Sequence, residues 1–186
     1  MKNIAYFILI ACVNICYGNS EELPNNVYYY TNISCDACLK FEKTDLKSLK
    51  EAMAVNPSLN LKIVEIFNLS NSISIDKAIA LECSKKDDKY WEVKKAFINI
   101  NNKVNISSKS LFEEANKIYD DGLKLSDCYN SDAILRKVSD EYYDAKVLGV
   151  KGYPAFRIGN QQVILYGKTG FKKLLGMLNR QNLNNI

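Results

Sequence analysis

Cys35-Asp36-Ala37-Cys38 stands where a strand-like run hands over to a helical pattern, and no other feature of the 186-residue sequence restricts the fold so tightly. Before it, Val27-Tyr28-Tyr29-Tyr30-Thr31 is β-branched and aromatic and reads as a buried strand ending in Asn32-Ile33-Ser34. After it, Leu39, Leu46, Leu49, Ala52 and Met53 fall near one helical face, with Lys40, Glu42, Lys43, Lys47 and Lys50 largely on the other. One helix is expected from Cys35 to the stop at Asn56-Pro57. Leu61-Lys62-Ile63-Val64-Glu65-Ile66-Phe67 then predicts a second strand. The first third is therefore β-α-β, with a crossover helix and a parallel strand pair.

From about residue 74 to 147 the pattern is helical, with apolar residues at helix spacing over 75–83, 88–98, 110–119 and 132–147. Strand character returns at Ala155-Phe156-Arg157-Ile158. A Gly159-Asn160 turn and Gln162-Val163-Ile164-Leu165-Tyr166 complete a hairpin, and a last helix is expected from Lys168 to about Asn179.

The N-terminus starts Met1-Lys2-Asn3, is apolar from Ile4 to Tyr17 and reaches Gly18 before Asn19-Ser20-Glu21-Glu22, as a secretory signal peptide does. Cleavage after Gly18 is expected, which places the protein in the periplasm or otherwise outside the cytoplasm. The apolar run is short of the roughly 20 residues a helix needs to cross a bilayer, although an uncleaved anchor stays open. So does a lipid anchor at Cys12, because Leu9-Ile10-Ala11-Cys12 resembles a bacterial lipoprotein box. Without residues 1–18, Cys35, Cys38, Cys83 and Cys128 remain, an even number that suits one local and one long-range disulfide in an oxidising compartment.

The chain has 25 basic and 21 acidic residues for a net charge of +4, too mild and too evenly scattered along the sequence to name nucleic acid or an anionic membrane as partner. It has no histidine, which removes Ser-His-Asp and Cys-His pairs and histidine metal sites. No metal or cofactor is expected. A Cys-x-x-Cys at a strand-to-helix handover puts the first sulfur at the helix N-terminus, where unpaired N–H groups and the helix dipole favour a thiolate. Cys35 is thus the candidate nucleophile and Cys38 the more buried resolving thiol. A structural disulfide is the alternative; a metal site would need a second cysteine pair or histidines. Glu65 shares a strand face with Leu61, Ile63 and Phe67. It is either a buried carboxylate moving protons for Cys38 or an exposed strand-end glutamate. Asn32-Ile33-Ser34, Asn68-Leu69-Ser70 and Asn105-Ile106-Ser107 match the glycosylation pattern and read as chance, since a glycan on Asn32 would sit against the nucleophile.

Gly149-Val150-Lys151-Gly152-Tyr153-Pro154-Ala155-Phe156 resembles the cis-proline loop of thioredoxin-fold proteins. In that family the residue before the proline packs beside the active-site sulfurs and offers its backbone to a peptide. The resemblance therefore puts Tyr153 and Pro154 in the site; the residues alone leave a trans proline at a strand start open. A helical block between β-α-β and β-β-α halves is similar to the DsbA family of exported oxidoreductases. Three segments carry the resemblance: Ser34-Cys35-Asp36-Ala37-Cys38; Ala80-Leu81-Glu82-Cys83 followed by Lys89-Tyr90-Trp91; and Cys128 leading through Ala145-Lys146-Val147-Leu148-Gly149-Val150 into Gly152-Tyr153-Pro154. It implies an α/β, thioredoxin-like domain over 19–186 with an inserted α-helical subdomain at about 70–147. It also implies a structural disulfide between Cys83 and Cys128, as in one branch of the family, which would stabilise by about 3 to 5 kcal/mol. Two buried free thiols are the alternative.

Two departures matter. Asp36-Ala37 replaces a dipeptide in which many oxidases of the family carry a histidine, so a weaker oxidant is expected. Tyr153 is bulky where small β-branched residues are usual. The resemblance implies a monomeric oxidase acting on exported proteins with cysteines and reoxidised by a DsbB-like quinone-linked membrane partner. The alternatives are a reductase or isomerase fed by a DsbD-like donor, and a noncatalytic thioredoxin-like binding module.

Overall fold

The computed structural model describes residues 26–100, 107–119 and 123–183. The expected leader with Cys12, Cys16 and Gly18 lies outside the described residues, as does Asn105. The elements run β1 (Asn26–Thr31), α1 (Asp36–Thr44), α2 (Leu46–Ala54), β2 (Asn60–Glu65), α3 (Ser72–Ser84), a 3-10 turn (Lys85–Asp87), α4 (Tyr90–Ile100), α5 (Ser108–Asn116), α6 (Leu123–Tyr129), α7 (Asp132–Val147), β3 (Ala155–Ile158), β4 (Leu165–Tyr166) and α8 (Gly167–Leu183). The sheet order is β2-β1-β3-β4. β1 and β2 are parallel, with Tyr29 opposite Ile63, while β3 runs antiparallel to β1, with Phe156 opposite Tyr29.

Strand alternation divides the core in two. Val27 and Tyr29, with Phe156 and Ile158, pack against Phe41, Leu49, Phe171 and Leu174 from α1, α2 and α8. Tyr30, Val64 and Ala155 face the other way, onto apolar residues of α3 to α7. Both faces of the sheet are thereby covered. The packing of α8 on β4 is close: a Cβ on Gly170 would lie 2.5 Å from the carbonyl carbon of Leu165.

Local structure departs from the sequence expectation at four places. The single helix expected after Cys35 is two helices. The Thr44 hydroxyl lies 3.0 Å from the Lys40 carbonyl and 2.6 Å from Asp45 Oδ2, two acceptors that share its one proton. Asp45 leaves helical geometry at φ −119°, as happens where a hydroxyl competes for the backbone ladder. A short helix, α6, carries Cys128 where none is expected. The second hairpin strand shrinks to Leu165 and Tyr166, with Val163 exposed. The last helix continues to Leu183.

Candidate active site

Cys35 follows a turn held by the side chain of Asn32. Asn32 Nδ2 donates to the Ile66 carbonyl at 2.6 Å, and its Oδ1 accepts from the Ser34 N–H at 2.7 Å. The Cys35 N–H donates to the Asn32 carbonyl at 3.0 Å. Cys35 then takes the extended backbone of an N-cap, φ −98° and ψ 107°, and its sulfur stands where a serine or aspartate oxygen usually caps. The Cys38 N–H points at Cys35 Sγ from 3.1 Å. A negative charge on that sulfur would be met by this N–H and by the positive end of α1. Cys35 is partly exposed, Cys38 is fully buried, and the two are joined as a disulfide with Cα atoms 5.2 Å apart. Asp36 is exposed beside them.

The Tyr153–Pro154 peptide bond is cis, and the Tyr153 carbonyl oxygen lies 3.8 Å from Cys35 Sγ. Cys35 and this loop therefore share a wall. Gly149, at φ +75°, ends α7 in a backbone region where other residues are strained, and Val150 N–H returns to the Ala145 carbonyl at 2.9 Å. Tyr166, on β4, holds the next stretch. Its hydroxyl donates to the Gly149 carbonyl at 3.0 Å and accepts from the Lys151 N–H at 3.3 Å. The Tyr153 ring is partly buried, and that burial, with Tyr142 and Tyr166 nearby, pushes its phenol up.

Glu65 is buried at the end of β2 and belongs to a charged cluster. Lys94, 1 % exposed, reaches from α4 to Glu65 Oε1 at 2.6 Å and Glu42 Oε1 at 2.7 Å. Tyr90 donates to Glu65 Oε1, and Tyr29 donates to Glu42 Oε1 at 2.8 Å. Thr31 Oγ1 lies 3.1 Å from Glu42 Oε1 and 3.2 Å from Lys94 Nζ. Burial, then the neighbouring carboxylates, drives both phenols far up, so each stays a proton donor to its glutamate. Glu42 sits four residues beyond Cys38 on α1, so one turn of helix links the cluster to the buried sulfur.

Sequence reasoning missed Glu42, Lys94, Tyr90 and Tyr166. A signal existed for two of them: Glu42 follows Cys38 at helix spacing, and Lys94 interrupts the apolar face of Tyr90, Val93, Phe97 and Ile100. Cys83 and Cys128 form a second disulfide between α3 and α6, with Cα atoms 5.9 Å apart. Among the described residues no cluster of histidine, cysteine or carboxylate side chains is placed to hold a metal ion.

A family model described as thioredoxin matches residues 13–177. No curated protein matches the chain in a sequence search. Similar solved structures include a thioredoxin-like oxidoreductase from Silicibacter pomeroyi, with TM-score 0.61, 17% identity, and 84% of this chain and 85% of that one covered. Pseudomonas aeruginosa DsbA gives TM-score 0.63 at 16% identity, covering 86% of this chain and 85% of the other. DsbA of Proteus mirabilis with a non-covalently bound peptide gives 0.65 at 12% identity, with 84% and 88% covered. At such identities these neighbours speak to the fold, and the fold is the same.

Proposed function

The chain belongs to the thioredoxin family in its DsbA-like form, with Cys35-Cys38 as the CxxC disulfide, and from this we propose that it oxidises thiols of exported proteins. The observation that carries the reading is the asymmetry of the pair. Cys35 is open to a substrate, capped by the Cys38 N–H and walled by the Tyr153 carbonyl, whereas Cys38 is sealed from solvent.

A substrate thiolate attacks Cys35 Sγ, the Cys35–Cys38 bond breaks, and its electron pair leaves on Cys38. A second substrate thiolate then attacks the substrate sulfur of the mixed disulfide. Cys35 leaves as the thiolate that its N-cap position favours. The substrate ends oxidised by two electrons and the protein reduced by two. Cys38, left as a buried thiolate, needs a proton, and Glu42, one turn along α1 and joined through Lys94 to Glu65, is the group placed to relay it. Tyr153 and cis Pro154 hold the substrate backbone. The peptide bound to Proteus mirabilis DsbA supports a polypeptide substrate. The Cys83–Cys128 bond is structural in this reading. Reoxidation falls to a membrane quinone-linked partner, and the apolar N-terminus is a signal for export, in keeping with four cysteines paired as two disulfides.

The test is the reduction potential of Cys35-Cys38 together with insulin reduction by the parent and by Cys35→Ser. A potential above about −180 mV is expected of an oxidase, below the DsbA value of about −120 mV because Asp36 opposes the Cys35 thiolate. A value near −270 mV would make the protein a reductase. Absence of any insulin reduction that depends on Cys35 would reduce the site to a binding module.

A further inference from the structure

The mild net charge of the whole chain hides a local imbalance at its C-terminal end. From Ala145 to Ile186 there is no aspartate or glutamate, and this stretch supplies the cis-proline loop, β3, β4 and α8. Its buried cation is Arg157; Lys146, Lys151, Lys168, Lys172, Lys173 and Arg180 are exposed.

Three of these lysines are carried by segments that adjoin, in the chain or through Tyr166, the cis-proline loop whose Tyr153 carbonyl faces Cys35. Lys151 is two residues before Tyr153, and its N–H is held by the Tyr166 hydroxyl. Lys168 follows Tyr166 by two residues at the start of α8, so Lys151 and Lys168 flank the same tyrosine. Lys146 closes α7, its Nζ 5.5 Å from the ring centre of Tyr142. The same stretch of chain also exposes apolar side chains: Val147 is 88% exposed, Val163 60% and Tyr166 41%. The acidic groups nearest in the chain to the site are Asp36, on the α1 side of Cys35, and Asp144, one turn before the end of α7. Neither belongs to the cis-proline loop.

Building on the oxidoreductase reading, we infer that the site selects polypeptide substrates whose cysteine is flanked by acidic residues, on the side that lies along the cis-proline loop. Like-signed lysines on one flank of a site raise the encounter rate of an anionic segment, and salt screens that gain. Substrates lined with lysine meet repulsion on the same flank.

The experiment compares two reduced peptides of equal length, the cysteine flanked by Asp and Glu in one and by Lys in the other, reacting with the oxidised mature protein. At low ionic strength the acidic peptide should react about 5- to 10-fold faster, and the gap should fall below about 2-fold in 0.3 M salt. Lys151→Gln with Lys168→Gln should at least halve the low-salt gap, whereas Lys109→Gln on α5 with Lys117→Gln at its C-terminal cap should leave it intact. Equal rates at low salt, or a preference indifferent to salt, would overturn the selectivity while leaving the redox reading in place. Equal rates together with co-sedimentation on phosphatidylglycerol vesicles would also overturn it, assigning the lysines to a lipid surface. Absence of exchange with either peptide would instead sink the oxidoreductase reading itself.

Discussion

Lys94 carries the floor of the site. Its ammonium is 1 % exposed and shares two carboxylates, Glu42 and Glu65, with Tyr90 and Thr31 close around it. A buried charge of this kind is tolerated because every neighbour compensates it, and removal of one partner leaves the others exposed to a dry environment. Lys94→Met takes away the cation that pairs with both Glu42 and Glu65. The variant should lose about 3–5 kcal/mol in urea unfolding at pH 7. It should also shift the reduction potential of Cys35-Cys38, since Glu42, one turn from Cys38, loses its counter-charge. A loss of stability with an unchanged potential would show the cluster to be a structural joint with no part in the chemistry.

Helix α7 carries a different kind of acid, the half-buried Glu141. Burial pushes Glu141 up to about 6; Lys85 and Lys137 oppose the shift and Glu82 adds to it. The native state therefore binds more protons than the unfolded chain between about pH 4.5 and 6. The contribution is fully present below the unfolded value and is lost as pH rises through 6. Over that window the parent should lose up to about 2 kcal/mol relative to Glu141→Gln, read as the difference between their urea midpoints at pH 4.5 and pH 7. A constant difference across the range would exclude Glu141 as the cause. The elements themselves were legible in unequal measure. β1, β2, β3 and most helices announce themselves through period, because alternation or helix spacing survives over many residues. The break at Thr44 and Asp45 does not, since the apolar stripe stays in phase across it and a hydroxyl bond makes the kink. Leu123–Tyr129 is too short to show a period, and β4 pairs through only Leu165 and Tyr166. In the site, Cys35, Cys38 and the Tyr153-Pro154 loop are readable because each motif is local. Glu42 and Lys94 meet from α1 and α4, and Tyr166 reaches the cis-proline loop from β4; only tertiary packing makes these contacts visible.

At the scale of the molecule, the helices between β2 and β3 are tied to the sheet at two levels. Lys94 reaches from α4 across to α1 and β2, and the apolar core on that side of the sheet runs unbroken into α3 to α7. The Cys83–Cys128 bond acts within the helical layer, joining α3 to the short α6. A seven-residue helix contributes little stability of its own. The bond thus holds in place a segment that periodicity could not, and its main effect is on the unfolded chain. Closing a loop over a sequence separation of 45 is worth about 4 kcal/mol by chain entropy. Cys83→Ala with Cys128→Ala should lower the unfolding free energy by about that amount and loosen amide protection first in α6, measured by hydrogen exchange. The Cys35-Cys38 potential should stay where it was, because the cap on Cys35 and the Lys94 cluster use α1, α4, β1 and β2 and touch neither Cys83 nor Cys128. A potential that moved with the loss of the second bond would mean that the helical layer tunes the reactive pair as well as covering it, and Cys83–Cys128 would then need a place in the redox cycle.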